Sequence, residues 1–186
     1  MEQTIPHKSV RFFPHWDTYN PNHVIGFLNL INYILEKKTS IENWVELGSY
    51  VGESANLVLG FPSIKHIDCV DICKNMIPHI NFRLNAYIKN NKCSVHHKSS
   101  YDFLTTISNN YMDVIYIDAN HEYDFVKQDI ELSFEKLKNN SFLSGHDYSP
   151  EYKSFPGSNQ AIEEFSKVKG LEIVRFIDNS WLMYKE

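Results

Sequence analysis

Residues 44–59 read WVELGSYVGESANLVL. An apolar run that suits a short strand, 44–47, leads straight into a turn holding Gly48 and Gly52, and then into a segment, 52–59, that suits a helix. Two glycines four residues apart ahead of a helix let the backbone turn tightly and approach a ligand whose polar end meets the first helix amides. The turn does not have the pattern of a dinucleotide fingerprint. Ser49, Tyr50 and Val51 fill the interval, and Tyr50 stands where GxGxxG carries its middle glycine. Taken alone, the stretch fits a structural turn as well as a binding site.

Working outward, strand and helix signals keep alternating. Strands are expected at 66–70, 93–96 and 114–117, with a fifth beginning at 141–143. Helices are expected at 77–89, 101–107, 123–137 and 161–168, and the chain closes with a strand pair, 172–177 and 181–184, about Asp178, Asn179 and Ser180. Such alternation implies an α/β fold, a doubly wound and mostly parallel sheet covered by helices on both faces, with the closing hairpin adding an antiparallel strand at one edge. At 186 residues the whole chain fits one domain, 1–186, with residues 1–40 as an N-terminal arm and 41–186 as the core. Within the arm, RFFPHWDTYNPNH (11–23) reads as an ordered loop or lid. Residues 24–38 carry Ile25, Leu28, Ile31, Ile34 and Leu35 at helical spacing, so an amphipathic helix should lie on the core there.

Composition sets the class. Hydrophobic residues make up 42% and aromatics 14%, which fits a globular chain. A net charge of −5 with scattered lysines argues against a general nucleic-acid or acidic-membrane partner, since those need a concentrated basic face. No apolar run approaches a membrane span, and the polar start lacks the apolar segment of a signal peptide, so a cytoplasmic protein is expected. Cys69, Cys73 and Cys93 read as reduced, small buried residues.

In open sheets of this kind ligands bind beyond the carboxyl ends of the strands, where connections diverge. The residues placed there are unusual. CVDIC ends the second strand with Asp71, a carboxylate able to accept both hydroxyls of a ribose, and a glycine turn beside a strand-end acid points to a nucleoside-bearing cofactor. The fourth strand runs MDVIYIDANHEYD, releasing Asp118 and, three residues on, His121; the fifth runs SFLSGHDY, releasing His146 and Asp147. A carboxylate at such a place must be solvated, paired or bound to metal. Asp118, His146 and Asp147 therefore form a candidate set for Mg2+ through the oxygens, or for Mn2+, Fe2+ or Zn2+ through the histidine. His121 or His146 could accept a proton. A plainer role for Asn120 or His121 is to cap the helix that follows. The adjacent pair His96 and His97 reads as structural, and Tyr123 as packing against the site wall.

The ordered set of ELGSYVGES (46–54), the acid after strand two, HKSSYDFL (97–104), IDANHEYDFVKQD and SGHDY resembles the class I S-adenosylmethionine-dependent methyltransferases. Within these it is similar to small Methyltransf_24-type proteins and to metal-dependent sugar O-methyltransferases. The resemblance covers roughly residues 41–186 and implies the strand order 3-2-1-4-5-7-6. It implies that Glu46, Gly48 and Gly52 shape a methionine pocket to which Ser49, Tyr50 and Ser54 also belong, that Asp71 holds the ribose and that Ser100 faces the adenine. It further implies that Asp118, His146 and Asp147 carry a metal, with His121 as the base. His146 departs from those relatives, which have an acid there. Tyr152, Phe155 and Pro156 would contact the acceptor, with Phe13, His15 and Trp16 closing over it, although the arm's aromatics could equally bury against a second subunit. The reading is O-methylation of a small-molecule hydroxyl, such as that of a sugar or glycoconjugate. A nicotinamide-dependent oxidoreductase and a non-catalytic cofactor-binding module are the rivals.

Overall fold

The computed structural model describes residues 21–151 and 154–186. The expectations for Phe13, His15, Trp16 and Tyr152 lie outside these. In chain order the elements are α1 (Pro21–Lys37), β1 (Trp44–Leu47), α2 (Glu53–Leu59), β2 (Ile67–Asp71), α3 (Ile77–Arg83), α4 (Asn85–Lys89), β3 (Cys93–His97), α5 (Ser100–Leu104), β4 (Met112–Ile117), α6 (Tyr123–Lys136), β5 (Leu137–Gly145), α7 (Pro156–Lys169), β6 (Val174–Arg175) and β7 (Trp181–Lys185). They build one seven-stranded sheet of order β3-β2-β1-β4-β5-β7-β6, parallel except for β7, which runs antiparallel to both neighbours.

Strand alternation divides the core in two. Trp44, Cys69, Val114, Tyr116 and Phe142 face α1, α2 and α3, where they meet Phe27, Ile31, Ile34, Val58 and Ile80. Val45, Leu47, Ile115, Ile117 and Leu143 face the other way, toward Phe103, Val126, Ile130 and Ile162 of α5, α6 and α7. Each fully buried aliphatic or aromatic side chain contributes about 1.5–3 kcal/mol, so both layers are needed to hold the sheet. The central strands are paired so that Leu47, Val70 and Ile117 lie level, and Ile117 is level with Gly145. The residues that follow, Gly48, Asp71, Asp118 and His146, therefore emerge along one edge of the sheet.

Several expectations are corrected. The first helix begins at Pro21, inside the stretch expected to be a loop, and its buried stripe is Phe27, Leu30, Ile31 and Ile34, while Ile25 is exposed. The stripe is rotated because Gly26 sits against the β6–β7 turn: a Cβ there would lie 2.3 Å from Asp178 Oδ1. The helix expected at 77–89 is interrupted at Leu84, which leaves helical geometry (φ −99°, ψ 10°) with its side chain fully buried. The fifth strand starts four residues earlier than the apolar run 141–143, because Leu137 already pairs with Met112 across a register shift that accommodates the polar residues between. The antiparallel strand is inside the sheet, as the order 3-2-1-4-5-7-6 implied by the resemblance has it, and not at the edge where strand alternation by itself put it. Trp181, Leu182 and Met183 are buried, Trp181 and Leu182 pair on both sides, and two-residue β6 leaves Arg175 exposed and ends the sheet. Tyr123 does not line the site; its hydroxyl donates to Glu164 of α7 at 2.6 Å.

Candidate functional site

The turn after β1 is held by backbone bonds to the neighbouring strand. Gly48 and Ser49 both donate to the Val70 carbonyl, at 2.8 and 3.1 Å, and Gly52 closes the turn onto the Ser49 carbonyl at 2.7 Å. Gly48 (φ 92°) passes so close to β4 that a Cβ would lie 2.0 Å from the Asp118 carbonyl oxygen. Glycine is thus required there for conformation and for space. At Gly52 (φ 75°) only conformation requires it, since a Cβ would meet Ile80 and Leu84 at 3.5 Å.

Asp71 is bound into this turn. Its two oxygens accept from the Tyr50 and Cys73 amides, each at 2.7 Å, which fixes the carboxylate at the end of β2. Burial raises its pKa, and the two amides and His97 offset part of the rise. Glu46 is buried in β1, beneath the turn. Ser54 donates to its Oε1, its Oε2 has no hydrogen-bond partner among the described residues, and burial pushes its pKa up to about 7.

Two cavities open along the strand ends. The first, about 570 Å³, lies between Gly48, Tyr50, Asp71 and Ile72 on one side and Ser99, Ser100, Tyr101, Phe125, Gln128 and Asp129 on the other, and Lys98 also borders it. The second, about 600 Å³, is lined by His23, Ser49, Ser54, His121, His146, Asp147, Phe155 and Asn179. Gly48, Tyr50 and Asp118 belong to both, so the two form one cleft with the glycine turn at its waist.

The second cavity is rich in charge and in unusual backbone. Among the described residues seven non-glycine positions have positive φ, and four of them, Tyr50, Asp147, Phe155 and Asn179, line it. Such conformations cost roughly 1–3 kcal/mol each and concentrate where geometry serves binding or chemistry. Asp147 lies between two imidazoles. His121 Nε2 meets its Oδ2, and His146 Nδ1 meets its Oδ1 at 3.0 Å. Burial favours the neutral acid, but the two histidines hold Asp147 well below the usual carboxylate range. For His146 burial opposes the proton, yet the bond to Asp147 and the charges of Asp118, Asp147 and Asp178 push its pKa up to about 9. His121 is also raised, chiefly by Asp147, and its ring stacks on Phe155 with centroids 4.4 Å apart.

Ligating atoms of Asp118, His121 and Asp147 lie within 4.8 Å of one another. The donor set suits a divalent cation. His146 is outside this group. Neither Asn120 nor His121 caps the following helix, which starts after Glu122 without a side-chain cap; Asn120 accepts from the Glu122 amide at 2.8 Å in the turn before it. His96 binds Asp68 and His97 the Ile72 carbonyl, away from this cluster. Sequence reading missed His23, Gln128, Asn179 and above all Asp129. Its signal was present: Val126, Asp129, Ile130 and Ser133 form the buried stripe of α6, and an acid in such a stripe calls for a reason.

The sequence profile of a methyltransferase-domain family matches residues 45–148, more than half of the chain and the whole run from β1 to the end of the β5 turn. The chain belongs to the Methyltransf_24 family. Its sheet order and antiparallel β7 are those of the class I S-adenosylmethionine-dependent methyltransferases. No curated protein matches this methyltransferase by sequence. Solved structures match it by fold. An O-methyltransferase from Bacillus cereus in complex with S-adenosylhomocysteine has a TM-score of 0.68 at 14% identity over 94% of this chain and 84% of that one. The N-methyltransferase NodS from Bradyrhizobium japonicum WM9, also with S-adenosylhomocysteine, has a TM-score of 0.66 at 15% identity over 95% of each chain. A Staphylococcus aureus protein provisionally named a caffeoyl-CoA O-methyltransferase has a TM-score of 0.70 at 16% identity over 95% of this chain and 90% of that one. At these identities the likeness establishes the fold; the reaction must be argued from this methyltransferase's own residues. Among the described residues no helix is long and apolar enough to cross a membrane.

Proposed function

We propose that the protein is an S-adenosylmethionine-dependent O-methyltransferase acting on a small-molecule hydroxyl, such as that of a sugar or glycoconjugate, with help from a divalent cation such as Mg2+ or Mn2+. The observation that carries this reading is the waisted cleft: a nucleoside-sized cavity ending at Asp71 joins, across Gly48, a cavity holding Asp118, His121 and Asp147. Cofactor-bound neighbours of the same fold support the choice of cofactor.

On this reading Asp71 accepts from the ribose hydroxyls. Gly48, Ser49, Tyr50 and Ser54 form the methionine end, with Glu46 and Gly52 buried behind them to shape it, and Ser100 borders the base. S-adenosylmethionine supplies an activated methyl group on sulfur. The protein's task is to align the acceptor oxygen and remove its proton. With its own proton on Nε2, facing Asp147, His121 presents Nδ1 as the acceptor, and the pairing that raises its pKa makes it a stronger base. Asp118 and Asp147 would be the oxygen donors to a cation, which would lower the pKa of a coordinated hydroxyl. His146 would have to give up its proton to act as a further ligand, and its position suits a cationic brace for Asp147. Phe155 offers the acceptor an aromatic wall. We place the enzyme in the cytoplasm and treat residues 1–186 as one domain.

Calorimetry with S-adenosylmethionine and S-adenosylhomocysteine, with and without Mg2+ or Mn2+ and with NAD+ as control, tests the cofactor. Binding of the methyl-donor pair and not of NAD+ is expected. Asp118→Asn is expected to abolish metal-stimulated turnover while leaving the thermal transition unchanged. Turnover that survives both the substitution and a chelator would remove the metal from the mechanism.

A further inference from the structure

The cavity beside Asp71 holds a second buried carboxylate. Asp129 lies on the inner face of α6, is 5% exposed, and lines the wall opposite the end of β2 together with Ser100, Tyr101 and Gln128. Ser100, the first residue of α5, lies beside it and offsets part of the effect of burial on its pKa. Burial pushes its pKa up to about 6, so it is largely ionised at neutral pH and retains acceptor capacity inside the cavity. A buried acid with no donor beyond one neighbouring hydroxyl is costly unless something else donates to it. Its neighbours Ile72, Tyr101 and Phe125 offer apolar and aromatic surface, as a flat heterocycle requires.

We infer that Asp129 selects the nucleobase of the cofactor, accepting a hydrogen bond from an exocyclic amine on the ring of the nucleoside whose ribose Asp71 holds. This rests on the cofactor reading above and extends it. With the sugar anchored at β2, the base extends away from the glycine turn toward the α5–α6 wall, where Asp129 is the carboxylate. A carboxylate accepts from a 6-amino purine and repels the carbonyl oxygen of a 6-oxo purine, and buried groups of this kind discriminate through the analogue that leaves them unpaired. Asp129 is then a specificity residue supplied by α6, a helix that carries none of the residues expected to bind the cofactor.

The test is calorimetric binding of S-adenosylhomocysteine and its 6-oxo analogue S-inosylhomocysteine to the wild type and to the isosteric Asp129→Asn variant. Wild type is expected to prefer the amino form by roughly 10- to 100-fold. Asn, which can donate as well as accept, should shrink that preference to within about threefold or invert it, by tighter binding of the oxo form. A preference that is unchanged in the variant overturns the inference while leaving the cofactor reading intact. Equal affinity of wild type for both ligands overturns it without need of the variant, should that variant fail to fold. Binding of neither ligand to wild type overturns the cofactor reading and this one together.

Discussion

The two halves of the cleft are built on different principles. The half around Asp71 is assembled from backbone: two amides hold its carboxylate, a glycine turn closes over it, and the walls mix Ile72, Tyr101 and Phe125 with Ser100, Gln128 and Asp129. The half around Asp147 is assembled from charge, with two imidazoles and two carboxylates packed together and three non-glycine residues besides Tyr50 held at positive φ. The first arrangement suits a ligand that is always the same, because amides and glycines leave little room for variation. The second suits a site where a proton changes hands and where acceptors can differ among relatives of one fold.

The sharpest way to break this contrast is at the waist both halves share. Gly48→Ala adds a Cβ in a left-handed conformation against the Asp118 carbonyl, and is expected to cost about 3–5 kcal/mol in denaturant unfolding and to disturb both cavities. A loss under about 1 kcal/mol would mean that β1 and β4 can separate there, and the halves would not be geometrically linked.

Next in size is the effect of the buried acid beneath the turn. Glu46 has a folded pKa of about 7 against 4.5 for an unperturbed carboxyl. The unfolded chain loses this proton above pH 4.5 while the folded protein keeps it to about pH 7, so this group's contribution to stability falls as pH rises through that window. The full decline is about 3 kcal/mol. Because Asp129 and the histidines titrate nearby, the quantity to measure is the difference between wild type and Glu46→Gln in urea unfolding from pH 4.5 to 7. Gln should remove that part of the slope, and parallel curves would show that Glu46 is ionised when folded. Cofactor binding by Glu46→Gln would report whether its unpartnered oxygen serves the methionine end.

The smallest expected effect lies in the backbone-built half. Asp71→Ala should weaken S-adenosylhomocysteine binding by roughly 1–3 kcal/mol through lost ribose hydrogen bonds, with turnover at saturating cofactor nearly kept. An unchanged dissociation constant would take Asp71 out of the site and leave its role as anchor for the Tyr50 and Cys73 amides.

Much of the backbone-built half was legible before any coordinates. Gly48 and Asp71 lie at ends of short apolar strands, and local patterns of that kind survive in one dimension. The charged half was legible only as a set of candidates. Asp118, His121, His146 and Asp147 could be named from two strand ends, but which imidazole would join both carboxylates could not. That choice depends on the positive φ of Asp147 and on the ring of Phe155, which comes from a loop far along the chain. Asp129 was passed over because α6 was read for its helical period and not for the identity of each residue on its buried face.

The sequence by itself determined the alternation of strands and helices, hence the parallel sheet and the edge of it where a ligand binds, because both follow from periodicity and from the residues that end each strand. Tertiary structure alone decided that His121, and not His146, groups with Asp118 and Asp147, and that Asp129 lines the cavity beside Asp71. Each of these is a pairing between residues distant in the chain, fixed by register, twist and close packing, and no local pattern encodes such a pairing.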